Sequence, residues 1–495
     1  MRLTLFPSIV PILAITTFTL LQGCDGSNQT ASSTETKAAK EPNIIIYMVD
    51  DMGYGSVNCY GADPELVQTP HIDGLAEMGM SFINASTTAS VCSPTRYTML
   101  TGRYSWRTHL KAGVVNTNDP LLINPERTTI ASWLQEKGYE TAHFGKWHLG
   151  YFQKQFKNLL GDITPGPNDI GFDYHFGVPN NMDDIHKVYI ENNGIYGLRS
   201  DRISNYGISF YGKQYTGYDA PQRNEPEVMP DITSRAAKWI QERDGLKPFF
   251  LYFASVSVHH PIMPSAKNFG SSKAGAYGDF IHDTDESVGE IIKALKEKGE
   301  LENTIFIFTS DNGGDIPTKA PKIMPENQAI EAGLKINGDW RGDKHEIYEG
   351  GLRVPLIVSY PKVVQPGTKT SAFATTADLF ATVAGMLGTD DLPETVAPDS
   401  ISFSHVLSDP DAASKRVHGV FRNAPGQQAL RFGKWKLIDS QLPNGTELTL
   451  ELYDLEADPG ETKNLSEDES DVVRQGQELL ATIRKGPGSR DVPLP

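Results

Sequence analysis

The segment Asn43-Ile44-Ile45-Ile46-Tyr47-Met48-Val49, followed by Asp50-Asp51, decides the expected fold. A short apolar run without polar alternation is typical of a strand that is buried on both faces of a parallel sheet. The two aspartates mark the point where this strand stops. Because ligand sites in α/β sheets lie beyond the carboxyl ends of the strands, Asp50 and Asp51 are candidate site residues.

Strand-like and helix-like segments alternate along most of the chain. The pattern predicts an α/β fold with a large central mixed, mostly parallel sheet flanked by helices. The predicted strands beyond the first are 140–144, 248–256, 304–308 and 354–358, and the predicted helices are 129–137, 232–242, 280–298 and 373–387. Polar clusters follow three of the strands: Asp50-Asp51, Lys146 with His148, and Asp311-Asn312. The long segments 151–230 and 316–340, rich in Gly, Asn and Pro, are predicted to be loops around a site.

Composition divides the chain into four regions. Residues 1–23 are predicted to be an export signal, because Arg2 precedes an apolar run and Leu21-Gln22-Gly23-Cys24 resembles a bacterial lipoprotein cleavage box. A retained membrane anchor is the alternative. Residues 24–41 are predicted to be a flexible tether, residues 42–412 the main domain, and residues 413–495 a smaller α+β subdomain with a short antiparallel sheet. Within that subdomain, 429–438 is predicted to be one strand.

The composition also restricts the partners. A formal net charge of −17 over 495 residues argues against a nucleic-acid partner, although a local site can still bind an anion. Of the three cysteines, Cys24 is expected to carry lipid that attaches the protein to a membrane of the periplasm or outer envelope, and Cys59 has no evident partner. No disulfide is therefore expected.

The most specific motif is Cys92-Ser93-Pro94-Thr95-Arg96, which continues to Thr101-Gly102. It resembles the activation motif of the formylglycine-dependent type I sulfatases, which have an alkaline-phosphatase-like fold. The resemblance implies that Cys92 is oxidised by a maturation enzyme to formylglycine, whose hydrate attacks sulfur with one hydroxyl and expels sulfate through the other. The alternative for an isolated cysteine is a small buried apolar side chain.

Hard oxygen ligands are supplied by Asp50, Asp51, Asp311 and Asn312, which suits Ca²⁺ or Mg²⁺ better than zinc. Each pair alone is also an ordinary turn sequence. Beside the cysteine motif, the set matches the sulfatase metal site, which implies one Ca²⁺, in preference to Mg²⁺, that also contacts residue 92.

The remaining sulfatase motifs supply cations and histidines. Extended-chain alternation predicts that Lys146 and His148 point to the same side. The resemblance gives Arg96 and Lys146 the role of stabilising anions, and His148 that of the general base. His259, in preference to His260, and Lys344 are expected to bind sulfate and to protonate the leaving alcohol. Taken alone, each motif has an ordinary structural alternative. Lys146 would be a surface lysine and His148 a packed histidine, and His259-His260 would be a histidine pair at the end of a strand.

These expectations converge on an exported sulfuric ester hydrolase. The substrate class expected is a sulfated carbohydrate, such as a glycosaminoglycan or algal polysaccharide unit. The alternatives are a generic arylsulfatase, a phosphomonoester or phosphonate hydrolase on the same fold, and a non-catalytic glycan-binding lipoprotein in which Cys92 is not oxidised.

Overall fold

The computed structural model describes residues 41–317 and 323–494. The predicted export signal and Cys24 lie outside the described residues, as does most of the predicted tether. Within the described ranges, no helix is both long enough and apolar enough to span a membrane.

The described residues form twenty strands and ten α-helices. The strands are β1 Asn43–Val49, β2 Met80–Phe82, β3 Ala85–Ser86, β4 Glu140–Lys146, β5 Tyr174–Val178, β6 Ile190–Glu191, β7 Gly194–Ile195, β8 Ser200–Ile203, β9 Tyr206–Ile208, β10 Gln214–Tyr215, β11 Tyr218–Asp219, β12 Phe249–Ala254, β13 Thr304–Ser310, β14 Leu356–Ser359, β15 Thr368–Thr370, β16 Ala374–Thr375, β17 His418–Arg422, β18 Gln428–Phe432, β19 Trp435–Ile438 and β20 Glu451–Asp454. The helices are α1 Pro70–Glu77, α2 Cys92–Thr101, α3 Ile130–Glu136, α4 Glu225–Glu242, α5 Gly275–Lys298, α6 Pro325–Glu331, α7 Glu349–Leu352, α8 Leu379–Met386, α9 Ser404–Ser408 and α10 Ser470–Lys485.

A ten-stranded sheet forms the centre of the fold, in the order β15-β2-β14-β13-β1-β12-β4-β5-β6-β7. The five strands from β13 to β5 run parallel, and β14 and β6 join them antiparallel on either side. This confirms the predicted mixed, mostly parallel sheet. β1 is central, and its registered partners place Val49 opposite Ser310 and Met48 opposite Ala254. The carboxyl ends of the parallel strands therefore meet at one edge.

Helices cover both faces of the sheet because the side chains of β1 alternate between two hydrophobic cores. Ile44, Ile46 and Met48 pack into one core, with residues of α2, α3 and α8. Ile45, Tyr47 and Val49 pack into the other, with residues of α1, α4 and α5. All seven residues of β1 are buried, which explains the continuous apolar run in its sequence.

A second sheet near the end of the chain is antiparallel, in the order β17-β18-β19-β20, and α10 packs against it. This confirms the predicted short antiparallel sheet. The single strand predicted over 429–438 is wrong: the chain turns at Gly433, which has φ of +53°, and forms the hairpin of β18 and β19. The domain boundary between residues 412 and 413 stays a prediction.

Candidate active site

Cys92 is the first residue of α2, a helix in which every residue is buried. The free backbone N–H groups at the start of α2 and the dipole of this helix favour negative charge at residue 92. Burial raises the pKa of the Cys92 thiol well above its ordinary value, although the Lys146 ammonium, 3.5 Å from Sγ, acts in the opposite direction. Since the thiolate is the reactive form, unmodified Cys92 is a neutral and weak nucleophile.

Oxygen-bearing side chains follow β1 and β13 directly, at the edge where these two strands end together. Asp50, Asp51, Asp311 and Asn312 are all at most 2% exposed. The backbone N–H of Asp51 donates to Asp311 Oδ1 (3.1 Å), and Asn312 Nδ2 donates to Asp51 Oδ1 (2.8 Å). The structure therefore brings the four predicted oxygen ligands together.

This donor set fits a hard divalent cation. Asn312 Oδ1 is buried and accepts no hydrogen bond from the described residues, so its lone pairs are free to bind an ion. Ligand atoms of Asp50, Asp51, Cys92 and His259 lie within 4.8 Å of one another. This tight group differs from the predicted set, since it contains His259 and not Asp311. Carboxylate and amide oxygens are the ligands that Ca²⁺ and Mg²⁺ prefer.

Three buried cations balance the three carboxylates. The ion pairs are Arg96 with Asp311 (2.7 Å), Lys146 with Asp50 (2.7 Å) and Lys344 with Asp51 (2.6 Å). Although burial raises the pKa of Asp51, the neighbouring His259 and the ammonium of Lys344 hold it below its ordinary value. The cluster is formally neutral, so a bound divalent cation would make it attractive to a sulfate anion.

Lys146 and His148 both reach the site, but for a different reason from the one predicted. β4 ends at Lys146, and His148 lies in the left-handed region with φ of 54°. Extended-chain alternation therefore does not apply between them. His148 is 4% exposed, and its Nδ1 has no hydrogen-bond partner among the described residues. Burial, together with Lys146 and Arg96, lowers the pKa of His148 well below its ordinary value, so that its imidazole is neutral and can accept a proton.

The two adjacent histidines take different positions. His259 Nε2 lies 3.6 Å from Asp51 Oδ2, within the charged cluster. His260 Nδ1 lies 3.5 Å from Asp315 Oδ2 and 3.6 Å from Glu326 Oε1, away from that cluster. Burial lowers the pKa of His259 well below its ordinary value, although Asp51 raises it.

A cavity of about 320 Å³ opens onto this cluster. Cys92, His148, His259 and Lys344 are among its lining residues. Side chains from segments 114–117, 180–185 and 209–213 complete its wall. The last two segments lie within 151–230, but the prediction that this whole range is a loop is wrong: it contains β5 to β11 and the start of α4, and the predicted loop 316–340 contains α6.

Comparison with protein families agrees with this geometry. The family model described as sulfatase matches residues 42–389, which is more than half of the chain. This chain belongs to the sulfatase family. A second model, described as the C-terminal part of N-sulphoglucosamine sulphohydrolase, matches residues 338–485 of the sulfatase.

Relatives of this sulfatase are similar over almost its whole length. The N-acetylgalactosamine-6-O-sulfatase of Bacteroides thetaiotaomicron is 35% identical, with 94% of this chain and 97% of the relative covered. Human arylsulfatase A is 29% identical, over 86% of this chain and 84% of the relative. A solved structure of a Bacteroides thetaiotaomicron protein, described under the metabolism of multiple glycosaminoglycans, has a TM-score of 0.82 at 34% identity and covers 90% of this chain and 100% of that chain. The enzyme is a sulfuric ester hydrolase with the alkaline-phosphatase-like fold.

Sequence reasoning missed several residues that line the cavity of the sulfatase. They are Asn116, Asn181, Tyr211, Lys213 and His345. The loops that carry the first four have no periodic pattern, and only the fold brings them to the site. His345 carries one local signal, since it directly follows Lys344 in the motif. Like Asp51 and His148, it has a positive φ (75°), a strained backbone conformation that is concentrated at functional sites.

Proposed function

We propose that this sulfatase hydrolyses a 6-O-sulfate ester on N-acetylgalactosamine of a glycosaminoglycan. The relative that is 35% identical over 94% of this chain is named for this reaction, and the dog N-acetylgalactosamine-6-sulfatase is 29% identical over 77% of this chain. That similarity supports the proposed substrate, whereas the observation that carries the hydrolysis of a sulfate ester is the position of Cys92: it is the first residue of a buried helix, its Sγ lies 3.9 Å from Asp51 Oδ1, and it lines the cavity.

The cavity wall suits a sugar. Tyr211 is 40% exposed and is held by hydrogen bonds, as its hydroxyl donates to the His260 carbonyl (3.0 Å) and accepts from Asn181 Nδ2 (3.2 Å). Fixed aromatic faces pack against the C–H faces of sugar rings, and Asn and Lys side chains on the same wall bond hydroxyl and acidic groups.

Two groups supply the central chemistry. Oxidised to formylglycine, residue 92 provides the nucleophilic hydroxyl group of an aldehyde hydrate. Asp50, Asp51, Asp311 and Asn312 would hold a calcium ion, which would supply Lewis-acid polarisation of the sulfate and stabilisation of negative charge.

The remaining roles belong to side chains of the cluster. Lys146, with its ammonium beside Cys92 Sγ, stabilises the anion of the nucleophile and binds sulfate. Neutral His148 accepts the proton of the second hydroxyl, which allows sulfate to leave. His259 and Lys344, both against Asp51, contact the bridging oxygen and supply the single proton that converts the departing alkoxide into the alcohol. Arg96, paired with Asp311 and Asp50, orients these carboxylates.

We further propose that the protein is exported as a lipoprotein, with lipid on Cys24, and that a formylglycine-generating enzyme of the host acts on Cys92 before folding. Cys92 is 2% exposed in the fold, so a maturation enzyme would reach it more readily in the unfolded chain. The lipoprotein box and the tether motivate the proposed location in the envelope.

The test is sulfate release by protein from a host that contains the maturation enzyme. The substrates are N-acetylgalactosamine 6-sulfate, its 4-sulfate isomer, 4-nitrophenyl sulfate and 4-nitrophenyl phosphate. We expect the highest kcat/KM among the sugars for the 6-sulfate, turnover of nitrophenyl sulfate, and little turnover of the phosphate. Preference for the 4-sulfate would refute the proposed position, and preference for the phosphate would favour a phosphomonoesterase. Mass spectrometry of the peptide with residue 92 tests the oxidation, since an intact thiol in active protein would refute it.

A further inference from the structure

The segment that carries Lys344 is a tightly closed loop, residues 341–349, here termed the lysine loop. Lys344 is 4% exposed, and its ammonium lies 2.6 Å from Asp51 Oδ2. The N–H of Gly350 donates to the carbonyl of Arg341 (2.7 Å), which closes the two ends of the loop on each other. A Cβ at Gly350 would lie 2.0 Å from the carbonyl oxygen of Gly342, so only glycine permits this approach. The backbone N–H groups of Lys344 and His345 also donate to the carbonyls of Gly314 (3.0 Å) and Ser90 (2.9 Å). The position of Lys344 therefore depends on these two bonds and on how the ends of the loop are held.

Glu461, a residue of the C-terminal segment, contacts both ends of the lysine loop. Its carboxylate Oε2 accepts the backbone N–H of Glu349 (2.7 Å), 112 positions away in sequence. Its backbone carbonyl accepts a hydrogen bond from the guanidinium of Arg341, 120 positions away. Glu461 is fully buried and has φ of 53°, a conformation that non-glycine residues keep only where their surroundings impose it.

Lys436 of β19 supplies the charge that Glu461 needs. Its ammonium is fully buried, 2.7 Å from Glu461 Oε1 and 3.0 Å from Glu349 Oε1. Glu349 Oε2 is paired in turn with Arg353 Nη2 at 2.7 Å. Burial and the neighbouring Glu349 carboxylate raise the pKa of Glu461, whereas Lys436 favours its ionised form. A buried carboxylate without such a partner would be strongly destabilising.

We propose that Glu461 is a positioning residue for Lys344: by holding both ends of the lysine loop from the C-terminal segment, it fixes the Lys344 ammonium at the reacting oxygen. The inference rests on the role given to Lys344 in the proposed function. The C-terminal segment contributes no residue to the predicted catalytic set, but through Glu461 it would influence the rate by way of Lys344.

A double-mutant cycle between Glu461 and Lys344 tests the proposal. Glu461→Gln keeps the size of the side chain and an acceptor oxygen but removes the charge opposite Lys436. Misplacement of a catalytic group by about 1 Å can cost up to about 100-fold in rate, so we expect kcat/KM for 4-nitrophenyl sulfate to fall about 10-fold or more. In a Lys344→Ala background the same substitution should change kcat/KM less than about twofold, since no ammonium remains to be positioned.

The control variant is Asp378→Asn. It breaks another buried ion pair that joins the main domain to the C-terminal region, that of Asp378 with Arg416, whose side chains are both 1% exposed. We expect Asp378→Asn to lower the melting temperature without lowering kcat/KM of the folded enzyme. If Glu461→Gln does not fold, Arg341→Met replaces it, because Arg341 is exposed and its loss releases only one end of the loop. We then expect a smaller fall in kcat/KM, and no fall when Arg341→Met is combined with Lys344→Ala.

The outcomes distinguish the positioning role of Glu461 from the role of Lys344 in the reaction. If the effects of Glu461→Gln and Lys344→Ala multiply, Glu461 does not act through Lys344 and the positioning role is refuted, while the sulfatase reaction stands. An equal loss of kcat/KM in Asp378→Asn would also refute it, because any weakening of the C-terminal region would then suffice. If Lys344→Ala keeps the activity of the wild type, the role of Lys344 in the proposed function fails, and the inference fails with it.

Discussion

We expect the positive charge of Arg96 to stabilise the buried carboxylates of the site, and Arg96→Gln tests this. The guanidinium donates to Asp311 Oδ2 through Nε (2.9 Å) and Nη2 (2.7 Å), and lies 3.4 Å from Asp50 Oδ1. Both partners are at most 1% exposed. Removing the cation changes the formal charge of the cluster from zero to −1, so two buried carboxylates lose a partner. The loss of one member of a buried ion pair costs about 3–5 kcal/mol.

The assay is urea unfolding followed by tryptophan fluorescence, with the metal first removed by a chelator and then with calcium added. In metal-free protein we expect the variant to lose about 3–5 kcal/mol of unfolding free energy. Calcium should restore part of this loss, because a cation that binds only the folded state replaces the missing charge and stabilises by mass action.

Arg416→Gln is the matched control, since it breaks an equally buried ion pair, with Asp378, that contacts none of the proposed metal ligands. Its loss of stability should be insensitive to calcium. A loss below about 1 kcal/mol for metal-free Arg96→Gln, or an equal calcium effect in Arg416→Gln, would refute the electrostatic reasoning.

Three further predictions concern the nucleophile, the base and acid stability. Cys92→Ala should abolish sulfate release while it changes the unfolding free energy by only about 1 kcal/mol, since one small buried group is lost; retained turnover would exclude residue 92 as the nucleophile. His148→Ala should slow the release step more than the attack, so that mass spectrometry finds sulfate retained on the peptide of residue 92; equal loss of both steps would contradict the role of a base. Burial lowers the pKa of His175 to about 3 from an ordinary value of 6.5, so the folded state excludes a proton that the unfolded state binds. The stability that this histidine contributes is therefore complete above pH 6.5 and falls on acidification, by at most about 1.4 kcal/mol per pH unit for one proton. His175→Phe should flatten the decline of the urea midpoint between pH 6.5 and 4, and an unchanged slope would count against this explanation.

The buried strands were predictable because their signal is local. β1 has the predicted bounds, and β4, β12 and β13 lie within two residues of theirs, since a continuous apolar run marks each one. The predicted helix 373–387 was too long: α8 begins at Leu379, and Ala374–Thr375 instead pair with Ala85–Ser86. Such a two-residue pairing depends on a distant partner, which no local periodicity reveals.

The sequence alone determined the chemistry of this protein, because the motifs of the sulfatases are short and each carries its own reactive groups. It identified Cys92, the carboxylates that end β1 and β13, and the lysines and histidines now found within one cluster. Only the tertiary structure decided how these groups meet. His148 reaches the site through a left-handed backbone conformation, and Glu461 holds the lysine loop from 112 positions beyond Glu349. These contacts arise from packing between segments distant in sequence, and the free energy that they contribute is gained only once the chain has folded.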